Sequence, residues 1–489
     1  MFPISNRFLV CVPPLVLLAL QMAALTAPPA GSNENTTLAA TAKPQGMADG
    51  ADRGDADAVA SGTNSATTDD GLLKTPVMVV PEPVVPAVQD TEKPMLNAQV
   101  ARLQAPRPDA GSTPPMAADV PSLMAPFGAI SDFSLGHTVP GSKWRIFPHV
   151  GVSAIFDDNI YLDSSNKVSD VYFAISPGIG ASYGADESPL KIRADYTASF
   201  LAFVDHSSQD TVDQDAALRV SYEMSKLTLG LTLGFQSLSG ADIDVGDRVR
   251  RQIYYAGLTA NYVLDEKFSV DVNADETVAD YKDLNDSNES RLQAWLNYQA
   301  TGKLKLGVGL LGGYLGVQES PTQTYEQFLL RAHYDATGKL VLYASGGVEV
   351  QQSDTTTVSP VFSIGGAYSP FARTTITLEI HERVYGSAAL DGQDYRATGI
   401  MVGVNQELRE NLSVFLNVGF ENASYYAVAS GVNASRVDNY TYARIGPSWQ
   451  VRQWCQVSSF YEFSNNASSG DGSRPFTRDR VGIQANFAF

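Results

Sequence analysis

The sequence predicts an all-β protein: a transmembrane antiparallel up-and-down β-barrel of about eighteen strands, preceded by a disordered N-terminal extension. Three observations predict it. From Arg145 onward apolar residues recur at every second position over long runs, the period of a strand with two unlike faces. An aromatic residue stands just before most of the tight turns, once per hairpin. Finally, 15 of the 26 prolines lie between Pro28 and Pro140, whereas all 22 tyrosines and all 4 tryptophans lie at Trp144 or beyond, so two different polymers are joined in one chain of 489 residues.

Residues 1–27 read as a secretory signal peptide: Arg7, a mostly apolar run from Phe8 to Leu20, then small residues up to Ala27. An uncleaved anchor is the alternative, but the run is short and carries Pro13 and Pro14. Residues 28–143 are a Pro/Ala/Asp-rich tether, with 7 basic and 13 acidic side chains and only Phe127 and Phe133 as aromatics. Such a composition cannot bury enough apolar surface to offset its ordering entropy. Within it, 119–135 is the most apolar stretch, with Met124, Phe127, Ile130, Phe133 and Leu135, and is a candidate for docking.

Residues 144–489 carry the barrel. Strands are expected to begin near Arg145, Asp170, Leu190, Val212, Leu227 and Arg250, then Phe268, Glu289, Leu304, Thr324, Leu340 and Thr357, and finally Thr374, Tyr395, Leu412, Asp438, Trp454 and Thr477. The run from Leu227 to Phe235, Leu-Thr-Leu-Gly-Leu-Thr-Leu-Gly-Phe, shows the alternation most plainly. Every second connection is tight, as at Gly302-Lys303, Gly338-Lys339 and Glu410-Asn411, while 157–169, 240–248, 427–437 and 465–476 are longer and polar. Short turns at one end and long loops at the other are the layout of an outer-membrane barrel.

The aromatics before the tight turns are Tyr183, Tyr222, Tyr262, Tyr298, Tyr334, Tyr368 and Trp449, each on the apolar parity of its strand. A soluble sheet has no reason to hold rings at one fixed height, whereas a membrane interface does. The last strand alternates Val481, Ile483, Ala485, Phe487 and Phe489 with polar residues; an aromatic end on such a strand, Phe487 and Phe489, is the expected signal to a barrel-assembly machinery. The opposite parity would line a lumen. It carries Lys191, Arg193, Asp195, Arg219, Asp271, Asp275 and Arg291, followed by Lys305, Arg331, His333, Glu349, Glu379, His381, Arg383, Glu421 and Arg444. Both signs are mixed, and interspersed glycines such as Gly230, Gly307, Gly309 and Gly482 suggest an uncrowded wall.

Several chemistries are excluded. The formal charge, 34 basic against 53 acidic residues, is −19, which opposes binding to nucleic-acid phosphates. None of the five histidines has metal-ligand spacing with a second His or Cys, and no nucleophile elbow or phosphate-cradling glycine loop is present, so neither enzyme chemistry nor a metal or other cofactor is expected. Glu379, His381 and Arg383 share a face, which an ion-paired wall explains better than a catalytic set. Asp242, Asp244 and Asp247 resemble half a calcium loop without the full ligand spacing, so a solvated loop is expected there.

The first hairpin, Phe156-Asp157-Asp158-Asn159-Ile160-Tyr161-Leu162 with Ser169-Asp170-Val171 and Ile175-Ser176-Pro177-Gly178-Ile179, resembles the opening of the beta-barrel porin 2 family. That resemblance implies an outer-membrane barrel associated with exopolysaccharide synthesis and export. No catalytic or binding residues are established for that family, so none carry over, and the acidic tether departs from its pattern. The expected function is a passive conduit or a component of exopolysaccharide export in the outer membrane of a Gram-negative-type bacterium, with the extension in the periplasm. Expected partners are outer-membrane lipid, the assembly machinery and polysaccharide or periplasmic export components. The rival expectation is a closed barrel whose segment 119–135 plugs the lumen or docks a periplasmic partner.

Overall fold

A computed structural model describes residues 137–184 and 188–489. The expected leader 1–27, nearly all of the expected tether 28–143 and the candidate docking segment 119–135 lie outside the described residues. The barrel strands are β1 Trp144–Asp157, β2 Asp170–Tyr183, β3 Leu190–Phe203, β4 Thr211–Glu223, β5 Leu227–Leu238 and β6 Arg251–Val263. They continue as β7 Phe268–Tyr281, β8 Ser287–Thr301, β9 Leu304–Val317, β10 Gln323–Thr337, β11 Leu340–Gln352 and β12 Thr356–Phe371. The last six are β13 Thr374–Gly386, β14 Gln393–Arg409, β15 Leu412–Ala427, β16 Val437–Arg452, β17 Cys455–Ser469 and β18 Phe476–Ala488. Each pairs antiparallel with its sequence neighbours, and β18 closes on β1 through pairs running from His149–Ala488 to Asp157–Arg480. Eighteen strands thus form a closed barrel, and every expected strand start falls within two residues of the observed one.

Register and turn chemistry explain the two ends. At the short end, Thr301 and Thr337 side chains accept N–H bonds from Lys303 and Lys339 two residues on, closing two-residue turns. Asp265 does the same for Lys267 and Phe268, and those N–H groups hold its carboxyl below the usual range. Trp144 at the head of β1 and Ala488 at the tail of β18 are also at this end. The long loops 158–169, 239–250, 387–392 and 428–436 gather at the other.

One parity of nearly every strand forms an exposed apolar surface: Ile175, Phe200, Leu310, Phe328, Leu330 and Ile483 are all more than half exposed. Such a belt around a closed sheet is the construction of a membrane-spanning barrel, because closure satisfies the backbone while the outer face stays aliphatic.

The inner face is fuller than its glycines suggest. A Cβ at Gly309 would sit 2.6 Å from the Trp295 ring, which lies over it from the adjacent strand; Gly313 is covered by Tyr325 in the same way. These glycines therefore make room for large neighbours rather than leaving open wall.

In-strand prolines locate breaks in the ladder. The β2–β3 register skips at Pro177 and the β16–β17 register at Pro447, and both then resume. Pro360 on β12 acts differently. The Ser369 N–H bonds the Lys339 carbonyl at 2.8 Å, so by alternation odd residues of β12 donate to β11 and even ones toward β13. Pro360 has no N–H to donate toward β13, and the β12–β13 ladder stops at Phe362–Glu382 without resuming, although β11–β12 and β13–β14 pair throughout.

Above that stop, β13–β15 lean into the barrel. A Cβ at Gly386 would lie 2.7 Å from Val317 Cγ2, on the inner face of β9, four strands away around the wall. Asp394 of β14 is fully buried and accepts bonds from Gln323 and Gln351 on the inner faces of β10 and β11, at 3.1 and 2.8 Å. The sequence explains the lean. Glu382, Asp394, Arg396, Thr398, Asn422 and Ser424 share the parity of the lipid-facing Ile380, Ile400, Val402 and Phe420, and groups this polar have no solvent in a bilayer.

Candidate functional site: the lumen and its mouth

The residues expected in the lumen sit on inner-facing positions and join into networks. Asp271 is held by Asn261, Asn297 and Arg331, and the Arg331 guanidinium lies 4.3 Å above the Trp295 ring. Arg291 is 3.6 Å from Asp275, Asp195 is 3.4 Å from His149, and Glu349 accepts a 2.6 Å bond from Gln327. His381 lies between Glu379 at 3.9 Å and Glu421 at 3.3 Å, and Arg383 bonds Glu379 at 3.1 Å. Among the described residues the partners of this imidazole are carboxylates, and with Arg383 they form an ion-paired wall. Arg444 stacks 4.0 Å over Phe460 and reaches Glu462 at 3.7 Å. Arg193 and Arg219 stand opposite each other, as do Lys305 and His333; Lys191 pairs with Glu223 in the open near the short end.

Sequence reasoning passed over the buried pairs Arg478–Asp157 and Arg480–Glu462. Their lumen parity on β18 was readable, since Arg478, Arg480, Gly482 and Gln484 alternate with the lipid face.

The mouth holds the largest correction. In the aspartate-rich loop 239–250 Asp247 is exposed as expected, but its first limb is not solvated: Ala241, Asp242, Ile243 and Asp244 are all buried. It carries a small hairpin, Ala241–Asp242 against Asp247–Arg248, and crosses to the far side of the barrel. Ala241 and Ile243 pack with Leu162, Tyr440 and Phe476, while Val245 and Val249 pack with Ala388 and Tyr281. Arg436 latches the loop's tip. Its Nη1 donates to the Asp244 carbonyl at 2.8 Å, its Nη2 to the Ile243 carbonyl at 3.2 Å, and its Nε and Nη2 grip Asp438 at 3.1 and 2.6 Å. Asp244 also accepts bonds from the Tyr425 and Ser387 hydroxyls and the Ala388 N–H. At the root, Asp242 lies 3.4 Å from Arg251. Burial pushes the Asp242 carboxyl above its ordinary range, against the pull of Arg251, and the neighbouring Asp244 charge adds to the push. These aspartates serve arginines and hydroxyls; among the described residues no group of three or more His, Cys, Asp or Glu is placed to hold a metal.

Below the loop lies a cavity of about 840 Å³, lined by β5–β13. Asp271, Arg291, Lys305, Arg331, His333, Glu349, Glu379 and Arg383 all face it, so about half of the expected lumen residues converge on one space. Its other lining groups include further carboxylates and hydroxyls, as at Glu289 and Tyr343, amides, as at Asn261, Gln293 and Gln327, and an apolar set that the charged parity did not reveal: Leu311, Leu315, Leu329 and Val361.

The expected interface aromatics Tyr222, Tyr262, Tyr298, Tyr334, Tyr368 and Trp449 are exposed beside the short turns, each opposite a Leu or Phe of the paired strand, and Tyr183 packs on Trp144 at 5.2 Å. Phe487 and Phe489 stack on Trp454 at 6.2 and 6.4 Å.

No family model matches the chain, and no curated protein matches it, so the likeness of the first hairpin to the porin 2 family stands on those residues alone. Among solved structures the chain is similar to Pseudomonas aeruginosa OccK2 (OpdF), with 10% identity and a TM-score of 0.43 over 70% of this chain and 98% of that one. It is also similar to P. aeruginosa OpdK with vanillate, at 13% identity and a TM-score of 0.40 over 70% and 99%. The outer-membrane channel DcaP of Acinetobacter baumannii aligns at 13% identity and a TM-score of 0.37 over 72% and 99%. At these values no residue, solute or activity transfers to this chain.

Proposed function

We propose that this protein is a porin-like conduit of the outer membrane, with its short turns and N-terminal extension in the periplasm, and that it passes hydrophilic solutes or serves exopolysaccharide export. The carrying observation is the pairing of a closed aliphatic outer surface with an inner face of amides and mixed charges. The exposed aromatics by the short turns fit the headgroup level on the periplasmic side. Phe487 and Phe489 on the closing strand fit an assembly signal, and the exopolysaccharide role rests on the resemblance of the first hairpin. Mechanism on this reading is passive: lumen width and charge select the solute, without covalent chemistry. Purified protein in planar bilayers is expected to give stepwise conductance. Silence at all voltages, persisting after removal of residues 28–143, would refute the conduit.

A second reading has its own support. The buried, multiply bonded loop 239–250 and the inward lean of β13–β15 fill much of the mouth, so the described conformation suits a barrel held closed. The occluding element on this reading is that loop, with or without segment 119–135. High conductance in every recording, without transitions, would exclude it.

A further inference from the structure

The inner face of a hydrophilic conduit has no use for aliphatic side chains, yet Leu311 and Leu315 of β9, Leu329 of β10 and Val361 of β12 form one cluster there with Trp295 and Tyr325. The cluster faces the cavity of about 840 Å³, whose other side is amide and charge, so the space is amphipathic. The apolar side leads to β12, where the wall itself is interrupted: the ladder to β13 stops at Phe362–Glu382 because Pro360 lacks the donor that the next rung needs. Phe362 and Val384, which have the outward parity of their strands, nevertheless line the cavity, and just above them Val358 is 63% exposed on the outside. Polar side chains span the gap in place of backbone. Arg396 donates to the Ser359 hydroxyl at 2.8 Å and lies 3.8 Å from Glu382, which accepts from the Thr398 hydroxyl at 3.0 Å.

We propose that the β12–β13 seam is a lateral passage through which the apolar part of an amphiphile, of alkyl-chain width, moves between the lumen and the outer leaflet while its polar part stays in the cavity. The inference rests on the membrane-spanning reading above. The stripe Leu311–Leu329–Val361 holds the chain, and Ser359, Glu382 and Arg396 are the side chains that must part. Unpaired backbone at membrane depth is tolerated where it lines such a path, since polar side chains and water satisfy it there.

The test uses the full chain in liposomes and a dodecyl glucoside carrying a diazirine at its chain end. Neighbouring positions separate the two surfaces, because Leu329 faces the lumen and Leu330 the lipid. After irradiation, residue-level mass spectrometry is expected to find label on Leu311, Leu329, Val361, Phe362 and Val384 that excess unlabelled dodecyl glucoside removes. Label on Leu310 and Leu330 is expected to be non-saturable. Leu329→Asn is expected to cut the saturable label at least tenfold while heat-modifiable migration on gels shows the barrel intact. Label restricted to Leu310 and Leu330 would overturn the proposal, and so would saturable label on Leu329 with none on Phe362 and Val384. Swelling of the same liposomes in glucose reports the conduit separately: labelling without swelling refutes the conduit alone, and swelling without saturable labelling refutes the seam alone.

Discussion

Arg436→Ala is expected to release the mouth loop. In the wild type the guanidinium is fully buried, grips both oxygens of Asp438, donates to two carbonyls of loop 239–250, lies 3.6 Å from the Asp244 carboxylate and stacks 4.6 Å from the Tyr425 ring. Removing it leaves two carboxylates buried without their cation. Breaking a buried ion pair from one side costs about 3–5 kcal/mol. Here the open loop returns Asp244 to water, so most of that cost is charged to the closed state alone. At about 1.4 kcal/mol per tenfold, the closed-to-open ratio should fall by roughly 10² to 10³. Two assays read it. In planar bilayers the high-conductance state should come to dominate. In a Cys455→Ser background, Ala241→Cys should react slowly with a polar maleimide when Arg436 is present and fast when it is replaced, since Ala241 belongs to the loop and is fully buried against Leu162, Tyr440 and Phe476 while the loop is closed. Arg436→Lys, which keeps the charge but not the fork, should fall between. Unchanged conductance together with unchanged labelling in Arg436→Ala would show that apolar packing, not the latch, holds the loop.

Three further perturbations follow from the same geometry. Gly309→Val should destabilise the barrel by about 1–3 kcal/mol through overpacking against Trp295, lowering the temperature of its heat-modifiable gel shift, while Gly302→Ala, with nothing within 4 Å, should leave that temperature unchanged. Arg331→Met should leave Asp271 uncompensated in the lumen and move the reversal potential in a KCl gradient toward cation selectivity; no movement would mean that solutes do not pass this point. The raised pKa of Asp242 has a definite sign. Its carboxyl binds a proton more readily in the closed loop than in the open one, so closed-loop stability increases as pH falls through the raised value toward the ordinary 3.8 and decreases again above it. Open probability should therefore drop in acid, and Asp242→Asn should flatten that dependence; an Asp242→Asn channel with the wild-type pH profile would refute the assignment.

Strand positions were legible because alternation is a local property: each run from Arg145 onward states its own two faces, and the turns Gly302-Lys303 and Gly338-Lys339 state their ends. The networks were half legible. Parity placed Asp271 and Arg331 on the inner face, but their partnership depends on the register of three successive pairings, from β7 to β10, that a single run does not contain. Loop 239–250 was misread for a different reason. Its Asp-Ile-Asp-Val-Gly-Asp sequence has the composition of a solvated loop, and what buries it is an arginine 192 residues away from Asp244, together with Tyr425 and Ser387. The glycines misled as well, since a missing side chain reads as space in one strand and as a seat for Trp295 or Tyr325 once the next strand is paired.

The lean of β13–β15 was encoded, though in a break of pattern rather than in the pattern. Along β14 the outward parity reads Asp394, Arg396, Thr398, Ile400, Val402, and along β15 it reads Tyr426, Ser424, Asn422, Phe420, Val418, so two paired strands change from polar to aliphatic at one common rung, Thr398–Asn422. On strands that merely rise above the bilayer, polar groups on this parity would meet water and stay exposed. Here Asp394 is fully buried and Tyr426 donates to Gln351 on the inner face of β11. The deciding residue is on neither strand. Pro360 removes the donor that would have tied β13 to β12 at that height, and without it the polar tops of β13–β15 can leave the wall and satisfy themselves on Gln323, Gln351 and Ser359. A barrel sequence is thus best searched for a proline on the rung where a neighbouring strand's lipid face turns polar, because those two features together state where the cylinder stops being a cylinder.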